Sequence, residues 1–287
     1  MLLTGVVQNT GTGGTEDGDG RPDDRWPLLA ERINASAERV DFAMLCEVMD
    51  WHRYGHKQLA RACEDLDLDV VPLAPSSSGL GTALLYRREV LGRWKRHNPD
   101  FADETLHGFA VTAFDVGLPA PLSFVPVHFA PFAAEKATIE AGTVASRGYK
   151  YGPYVVLGGD VNYPPASPRS PLPDYSTMRP YNIGARTVRP EPGSTDRQPD
   201  RQVTEKLEAH GYVDVAWHLS QKEQNPALLD PTGTDDRIDQ VWVSAPVAPA
   251  VSGYRLLDSP AGASDHKGLV FTIDTDLIDT SNPWKHR

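Results

Sequence analysis

Short runs of aliphatic and β-branched residues recur along the chain, separated by polar, glycine- and proline-bearing stretches. LLTGVVQN (2–9), DFAMLCEV (41–48), LDVVPL (68–73), GTALLYRR (81–88), FAVTAFDVG (109–117), LSFVPVHFA (122–130), YVVLGGDVN (154–162), RIDQVWVS (237–244), VSGYRLLD (251–258) and GLVFTID (268–274) predict strands. Helical spacing lies between some of them. It runs from Trp26 to Glu38 with Leu29, Ile33 and Ala37 on one face, from Tyr54 to Leu66 with Leu59, Ala62 and Leu66, from Ala133 to Arg147, and from Gln202 to His210. Strict strand–helix alternation would give a doubly wound parallel sheet. This mixture of helices with hairpin-like strand pairs instead predicts an α/β fold, a four-layer sandwich of two mixed β-sheets flanked by helices.

At 287 residues the chain is expected to be a single domain spanning 1–287. Hydrophobic residues make up 40% and charged residues 23%, as in an ordinary globular protein, and no apolar run approaches the roughly 20 residues a membrane helix needs. The start, MLLTGVVQNTG, has neither a basic flank nor a long apolar stretch, so the expected location is cytoplasmic. Cys46 and Cys63 are too few for a disulfide framework and read as buried thiols. A net charge of −11 argues against a broad basic surface for nucleic acid, but not against a nuclease whose cation and arginines are confined to one cleft. Residues 163–201 are rich in proline and carry Arg169, Arg179, Arg186, Arg189, Arg197 and Arg201 against only four acids, which reads as a long surface excursion.

The chemistry lies where the apolar runs stop. Asn9 ends the first, Glu47 follows AMLC, His128 follows FVPV, Asp160 and Asn162 follow YVVLGG, Asp239 sits in RIDQVWVS, and Asp265 with His266 opens the last. A strand end is where a core can present polar groups to a cleft without burying them unpaired. Carboxylate and amide oxygens are hard ligands suited to Mg²⁺, with Mn²⁺ as a substitute, and no close His/Cys set favours Zn²⁺. A carboxylate free of metal orients or deprotonates water, and a histidine paired with an acid stays protonated against a phosphate. Together these are the parts of a phosphoester hydrolase.

Taken in order, LLTGVVQN, LCEV, GTALLYRR, PVHF, GGDVN, RIDQVWVS and SDHKGLV resemble the endonuclease/exonuclease/phosphatase superfamily over nearly the whole chain. That superfamily includes pancreatic-type deoxyribonucleases, abasic-site endonucleases, inositol polyphosphate phosphatases and bacterial sphingomyelinases. The resemblance implies that Glu47 is the main metal carboxylate, assisted by Asn9 and by Asp265 directly or through water. It implies further that Asp160 and Asn162 position the attacking water, that Asp239 orients His266, and that His266 and His128 bind the scissile phosphate. Asn9-Thr10-Gly11 lacks the second acid that abasic-site enzymes carry at this motif, which weakens that assignment. The expected activity is hydrolysis of phosphodiester bonds in nucleic acid, most simply by a DNA endonuclease or exonuclease. The alternatives are a phosphatase or phosphodiesterase of a small or lipid-linked phosphoester, and a catalytically idle binding module.

Each residue also has a plainer role open to it. Glu47 can sit in a buried ion pair, Asp160 and Asn162 in an Asx turn, and Asp239 opposite Arg237. Gly11-Thr12-Gly13-Gly14 lacks the full dinucleotide-binding pattern, and Asp17-Gly18-Asp19-Gly20 starts like a calcium loop but continues with Arg21 and Pro22. No nucleophile-elbow or Walker A pattern occurs. If the 163–201 excursion covers the cleft, its arginines can grip phosphates and Tyr163, Tyr175 or Tyr181 can stack on bases.

Overall fold

The computed structural model describes residues 1–17, 19–166, 172–259 and 262–284. In chain order its strands are β1 (Leu2–Asn9), β2 (Phe42–Cys46), β3 (Asp69–Val70), β4 (Thr82–Tyr86), β5 (Arg96–Asn98), β6 (Val111–Phe114), β7 (Leu122–His128), β8 (Tyr154–Asp160), β9 (Thr187–Val188), β10 (Gln198–Pro199), β11 (Tyr212–Asp214), β12 (Asp239–Ser244), β13 (Val251–Leu257) and β14 (Gly268–Asp274). The helices are α1 (Trp26–Asn34), α2 (Lys57–Leu66), α3 (Arg88–Leu91), α4 (Ala134–Gly148), α5 (Pro180–Arg186), α6 (Gln202–Ala209) and α7 (Val215–Glu223).

The strands form two six-stranded sheets, ordered β13-β14-β1-β2-β4-β3 and β11-β12-β8-β7-β6-β5, with β9 and β10 paired apart. Each large sheet is mixed, with one parallel pair, β1 with β2 and β7 with β8. Three apolar cores separate the layers. Val7, Met44 and Leu84 of the first sheet meet Phe124, Val156 and Val241 of the second between the sheets. Val6, Ala43 and Leu45 point the other way, against Leu29, Ile33, Leu59 and Ala62 of α1 and α2. Val125, Val155 and Trp242 pack outward against Ala137, Ala141, Val144 and Leu207 of α4 and α6. The period of two along each strand thus assigns alternate residues to different cores, giving the expected four-layer α/β sandwich.

Two glycines bring the sheets together. A Cβ on Gly158 would stand 2.3 Å from Met44 Cε, and one on Gly159 would stand 1.8 Å from Val127 O and 2.9 Å from Cys46 Sγ. Gly159 also has φ +153, a conformation other residues rarely adopt. The GGD sequence therefore ends β8 close against β2, where the Met44 and Cys46 side chains fill the space a Cβ would need.

Several boundaries depart from the sequence pattern. α1 stops at Asn34, and the Ser36 amide turns back to Ile33 O at 3.1 Å, so Glu38 lies outside it. Tyr54–His56 is a short 3-10 turn apart from α2, because Gly55 and His56 take φ of +67 and +60. LDVVPL supplies only β3, ahead of Pro72, which has no amide to donate to a ladder. β5, β9, β10, β11, α3, α5 and α7 carry too little apolar periodicity to be foreseen. The 163–201 excursion contains α5 and the β9–β10 pair, and its Arg169 lies outside the described residues. Cys46 is buried as expected, whereas Cys63 is only partly covered.

Candidate active site

The first sheet supplies one half. Because β1 and β2 are parallel and pair Asn9 with Cys46, their C-terminal ends place Asn9 beside Glu47 at one edge. Glu47 takes φ +57, a left-handed conformation that costs a non-glycine residue about 1 kcal/mol or more. Thr10 Oγ1 holds the turn, lying 2.9 Å from both Cys46 O and Glu47 O. Glu47 Oε1 accepts from Asn9 Nδ2 at 3.1 Å and Oε2 from the Thr12 amide at 2.9 Å. The glycine loop that follows β1 is thus a support for Glu47. A Cβ on Gly13 would stand 2.8 Å from Met49 O, and Trp51 Nε1 donates to Gly13 O at 3.1 Å.

The second sheet supplies the other half. The ladder aligns His128 with Asp160 across β7 and β8, and Asp160 with Asp239 across β8 and β12, so three candidate side chains stand in a row. Asn162, at φ +63, donates its amide to Asp160 Oδ1 at 2.9 Å and its Nδ2 to Phe129 O at 2.9 Å. Asp239 is steadied by its own amide, which donates to Thr232 Oγ1 at 2.8 Å.

Side-chain bonds then cross from sheet to sheet. Asn9 Nδ2 donates to Asp160 Oδ2 at 3.1 Å as well as to Glu47. His266, in the segment leading into β14, shares a 2.7 Å bond from Nδ1 to Asp239 Oδ2. Ser264 sets its approach, donating to Asn9 O at 3.0 Å and accepting the His266 amide at 3.1 Å. Burial pulls the His266 imidazole down, but the charge and hydrogen bond of Asp239, with the charges of Asp160 and Asp265, more than reverse this and hold it at about 10.

His128 Nε2 lies 3.7 Å from Asp160 Oδ2. Its ring is stacked on that of His107, with centroids 3.7 Å apart and planes 7° from parallel. Burial and the neighbouring His128 push the His107 imidazole down to about 2, so it is neutral. Asp265 stands on the rim with its side chain 78% exposed and Oδ1 3.9 Å from His266 Nε2. Asn9, His128, Asp160, Asn162 and Asp239 are all buried.

The donor set fits a hard cation. Among the described residues, Glu47, His128 and Asp160 form one group of ligating atoms within 4.8 Å of one another, and Asp160, Asp239 and His266 form a second sharing Asp160. Asp239 Oδ1 is buried with no hydrogen-bond partner. Asn9 presents its nitrogen to both carboxylates and its oxygen to the Gly11 amide at 2.9 Å. Asp265 is in neither group, but it lines the same cleft of about 510 Å³ as Thr12, Arg25, Glu47 and His266.

Arg237 pairs with Asp214 at 2.5 Å inside the core, which leaves Asp239 to His266. Arg25 was not legible as a site residue. Its guanidinium reaches Gly11 O at 2.6 Å, Thr12 Oγ1 at 3.0 Å and Ala263 O at 2.7 Å, so it ties the Glu47 support to the His266 segment. Thr10, Thr232 and His107 are equally hidden in the sequence, since hydroxyls and a loop histidine give no periodic signal. Tyr163 cannot stack on a base: it is fully buried, with its hydroxyl on Ala130 O at 3.2 Å. Tyr175 is half-buried, and Tyr181 is exposed beside Arg179, whose Nη1 donates to its hydroxyl at 2.9 Å. Arg186 is buried against Asp236 at 3.8 Å, and Arg201 Nε donates to Pro165 O at 3.0 Å. The Asp17 loop closes on itself, with Asp17 Oδ1 accepting the Asp19 and Arg21 amides at 2.9 and 2.8 Å.

The sequence profile of the Endonuclease/Exonuclease/phosphatase family matches residues 9–266, and the chain belongs to that family. It is a family of phosphoester hydrolases that generally depend on a divalent metal. Among solved structures, an endonuclease/exonuclease/phosphatase from Bacteroides vulgatus is similar at TM-score 0.62 and 14% identity, covering 96% of this chain and 99% of that one. The 3′ phosphatase NExo from Neisseria, bound to a product DNA hairpin, has TM-score 0.61 and 16% identity over 95% and 99%. TDP2 of D. rerio, complexed with a single-strand DNA product, has TM-score 0.59 and 16% identity over 96% and 99%. At such identities the likeness bears on the fold. A comparison with curated proteins finds no match. No helix among the described residues is long and apolar enough to cross a membrane.

Proposed function

We propose that this chain is a metal-dependent phosphodiesterase acting on nucleic acid, most simply DNA, with 1–287 working as one domain. The observation that carries the reading is the shared edge at which Asn9 links Glu47 to Asp160 while Asp239 holds His266 alongside. Glu47, positioned by Asn9 and with Asp265 on the rim, would hold Mg²⁺ or Mn²⁺. When bound, the cation supplies positive charge to a phosphoryl oxygen and to the leaving oxygen.

The chain's own groups do the rest. Asp160, fixed by the Asn162 amide, orients the attacking water and takes its proton. His266, its Nδ1 on Asp239, offers Nε2 as a charged donor to the phosphate. His128 offers Nε2 from the other side of Asp160, and one of the two histidines serves the departing oxygen. Arg179 and Tyr181, exposed and hydrogen-bonded to each other, are the part of the excursion suited to contact a substrate strand.

A second reading, a small or lipid-linked phosphoester, draws support from the acids around the cleft: Asp17, Asp23 and Asp265 line it with Glu47. A panel of plasmid, single-stranded DNA, RNA, inositol phosphates and lipid phosphoesters, each with Mg²⁺, Mn²⁺ or chelator, separates the readings. Metal-dependent nicking supports the first. Release from the small substrates alone replaces it with the second, and no turnover at all leaves a binding module.

A further inference from the structure

The two histidines at the site are held by different physical means. His266 is fixed in the usual way, by an acid on the nitrogen that faces away from the reaction. His128 Nδ1 is buried with no hydrogen-bond partner, so nothing equivalent fixes its ring. What lies against it is a flat face: His107, 2% exposed, stacks on His128 at 3.7 Å with its plane only 7° away. Without that face, rotation about the last side-chain bond would swing Nε2 away from Asp160.

His107 is itself built in. Its Nδ1 shares a 2.7 Å hydrogen bond with Ser78 Oγ, which also accepts the Leu80 amide at 3.0 Å. Its neighbour Gly108, at φ +73, presses so closely on the 75–78 loop that a Cβ there would stand 1.9 Å from Pro75 O. From the other side comes Glu140 of α4, a buried carboxylate that the proposed chemistry does not use. Glu140 Oε1 accepts the Leu106 amide at 2.8 Å and Oε2 accepts the Ala130 amide at 2.7 Å. One carboxylate thus clamps the backbone next to His107 to the backbone just past His128. Burying it is costly unless both oxygens are used, and both are.

We infer that His107 is a positioning residue, a stacking platform held by Ser78 and Glu140 that sets the orientation of His128 toward Asp160. This rests on the proposed role of His128. What bears on His128 is the flat face of the ring at 107; the Nδ1 bond to Ser78 only seats that ring.

The test compares His107→Ala, His107→Phe and Glu140→Gln with the wild type, using Mg²⁺ and a bis-aryl phosphodiester. His107→Ala is expected to lower kcat by roughly 10- to 100-fold, and His107→Phe to recover to within roughly threefold of wild type. KM should change less than about twofold, and in a His128→Ala background His107→Ala should add little. Glu140→Gln, which can accept only one of the two amides, is expected to fall between. A second readout needs no turnover. In spectra of histidine-labelled protein, the His128 ring protons should be shifted upfield by the stacked ring, lose that shift in His107→Ala, and regain it in His107→Phe. A folded His107→Phe as impaired as His107→Ala in both readouts overturns the inference, as does a His128 signal that His107→Ala leaves unmoved. Should the wild type cleave no phosphodiester with any metal, the functional reading fails and the ring signals alone decide the platform.

Discussion

Asp239 Oδ2 and His266 Nδ1 approach to 2.7 Å although one residue begins a strand of the second sheet and the other lies in the segment entering the first. The acid is enclosed and the imidazole's far nitrogen faces the cleft, so the two should behave as one group. Asp239→Asn and His266→Ala are each expected to cost several kcal/mol of barrier, and the double variant much less than their sum. Fully additive losses, measured on folded variants at saturating metal, would remove the dyad.

The pH dependence follows from the same contact. The folded-state pKa of His266, about 10, exceeds the ordinary value of about 6.5, so the contact favours the protonated form. Its contribution to stability is complete below about 6.5 and is lost as pH rises through about 10. The gap in urea midpoint between wild type and His266→Gln should therefore narrow across that window. A gap that widens with pH would show that the imidazole is buried neutral.

Glu47→Gln keeps the shape but removes the charge and one acceptor, since an amide cannot serve both Asn9 and the Thr12 amide as the carboxylate does. The Mg²⁺ concentration for half-maximal activity should rise roughly 10- to 100-fold, with about 1 kcal/mol lost from stability. A metal titration under turnover checks the first figure and a denaturant melt the second.

Asp160→Asn is less innocent than it looks. Oδ1 still accepts the Asn162 amide, but the new amide nitrogen then faces Asn9 Nδ2, donor against donor. Turnover is expected to fall by roughly 10² or more with KM little changed, alongside a stability loss of about 1 to 3 kcal/mol.

Gly159→Ala should be among the most damaging single changes outside the acids. Its Cβ has no space beside Val127 O, and its backbone angle excludes most side chains. A loss of about 3 kcal/mol or more is expected, read by thermal unfolding, because β8 must leave β7 and carry Asp160 away from His128.

The strand-end polar residues were readable because each interrupts an aliphatic run, and a polar group at such a point must meet water, a partner or a ligand. What the sequence could not show was register. Nothing in GGDVN or RIDQVWVS says that Asp160 lies directly opposite Asp239, or that Asn9 bridges two carboxylates. Arg96–Asn98 forms a strand with no apolar alternation, and α7 shows only a weak apolar face in sequence, although its Asp214 cap accepts the Trp217 amide at 3.3 Å. His107 sits in a loop, where only packing reveals its use. Tyr163 looked available for stacking because a tyrosine beside prolines reads as surface; its hydroxyl partner is a main-chain carbonyl that no pattern discloses.

The second large sheet interrupts the first, since β5 to β8, β11 and β12 all fall between β4 and β13. The first sheet places β1 between β2 and β14, its earliest strand beside its last. His266 is delivered by the segment entering β14, so during synthesis on the ribosome Asp239 emerges well before its partner is anchored. The Asp239–His266 contact therefore closes only once β14 has paired with β1, so the oldest and youngest strands of the first sheet must meet before the inserted sheet gains its link to them.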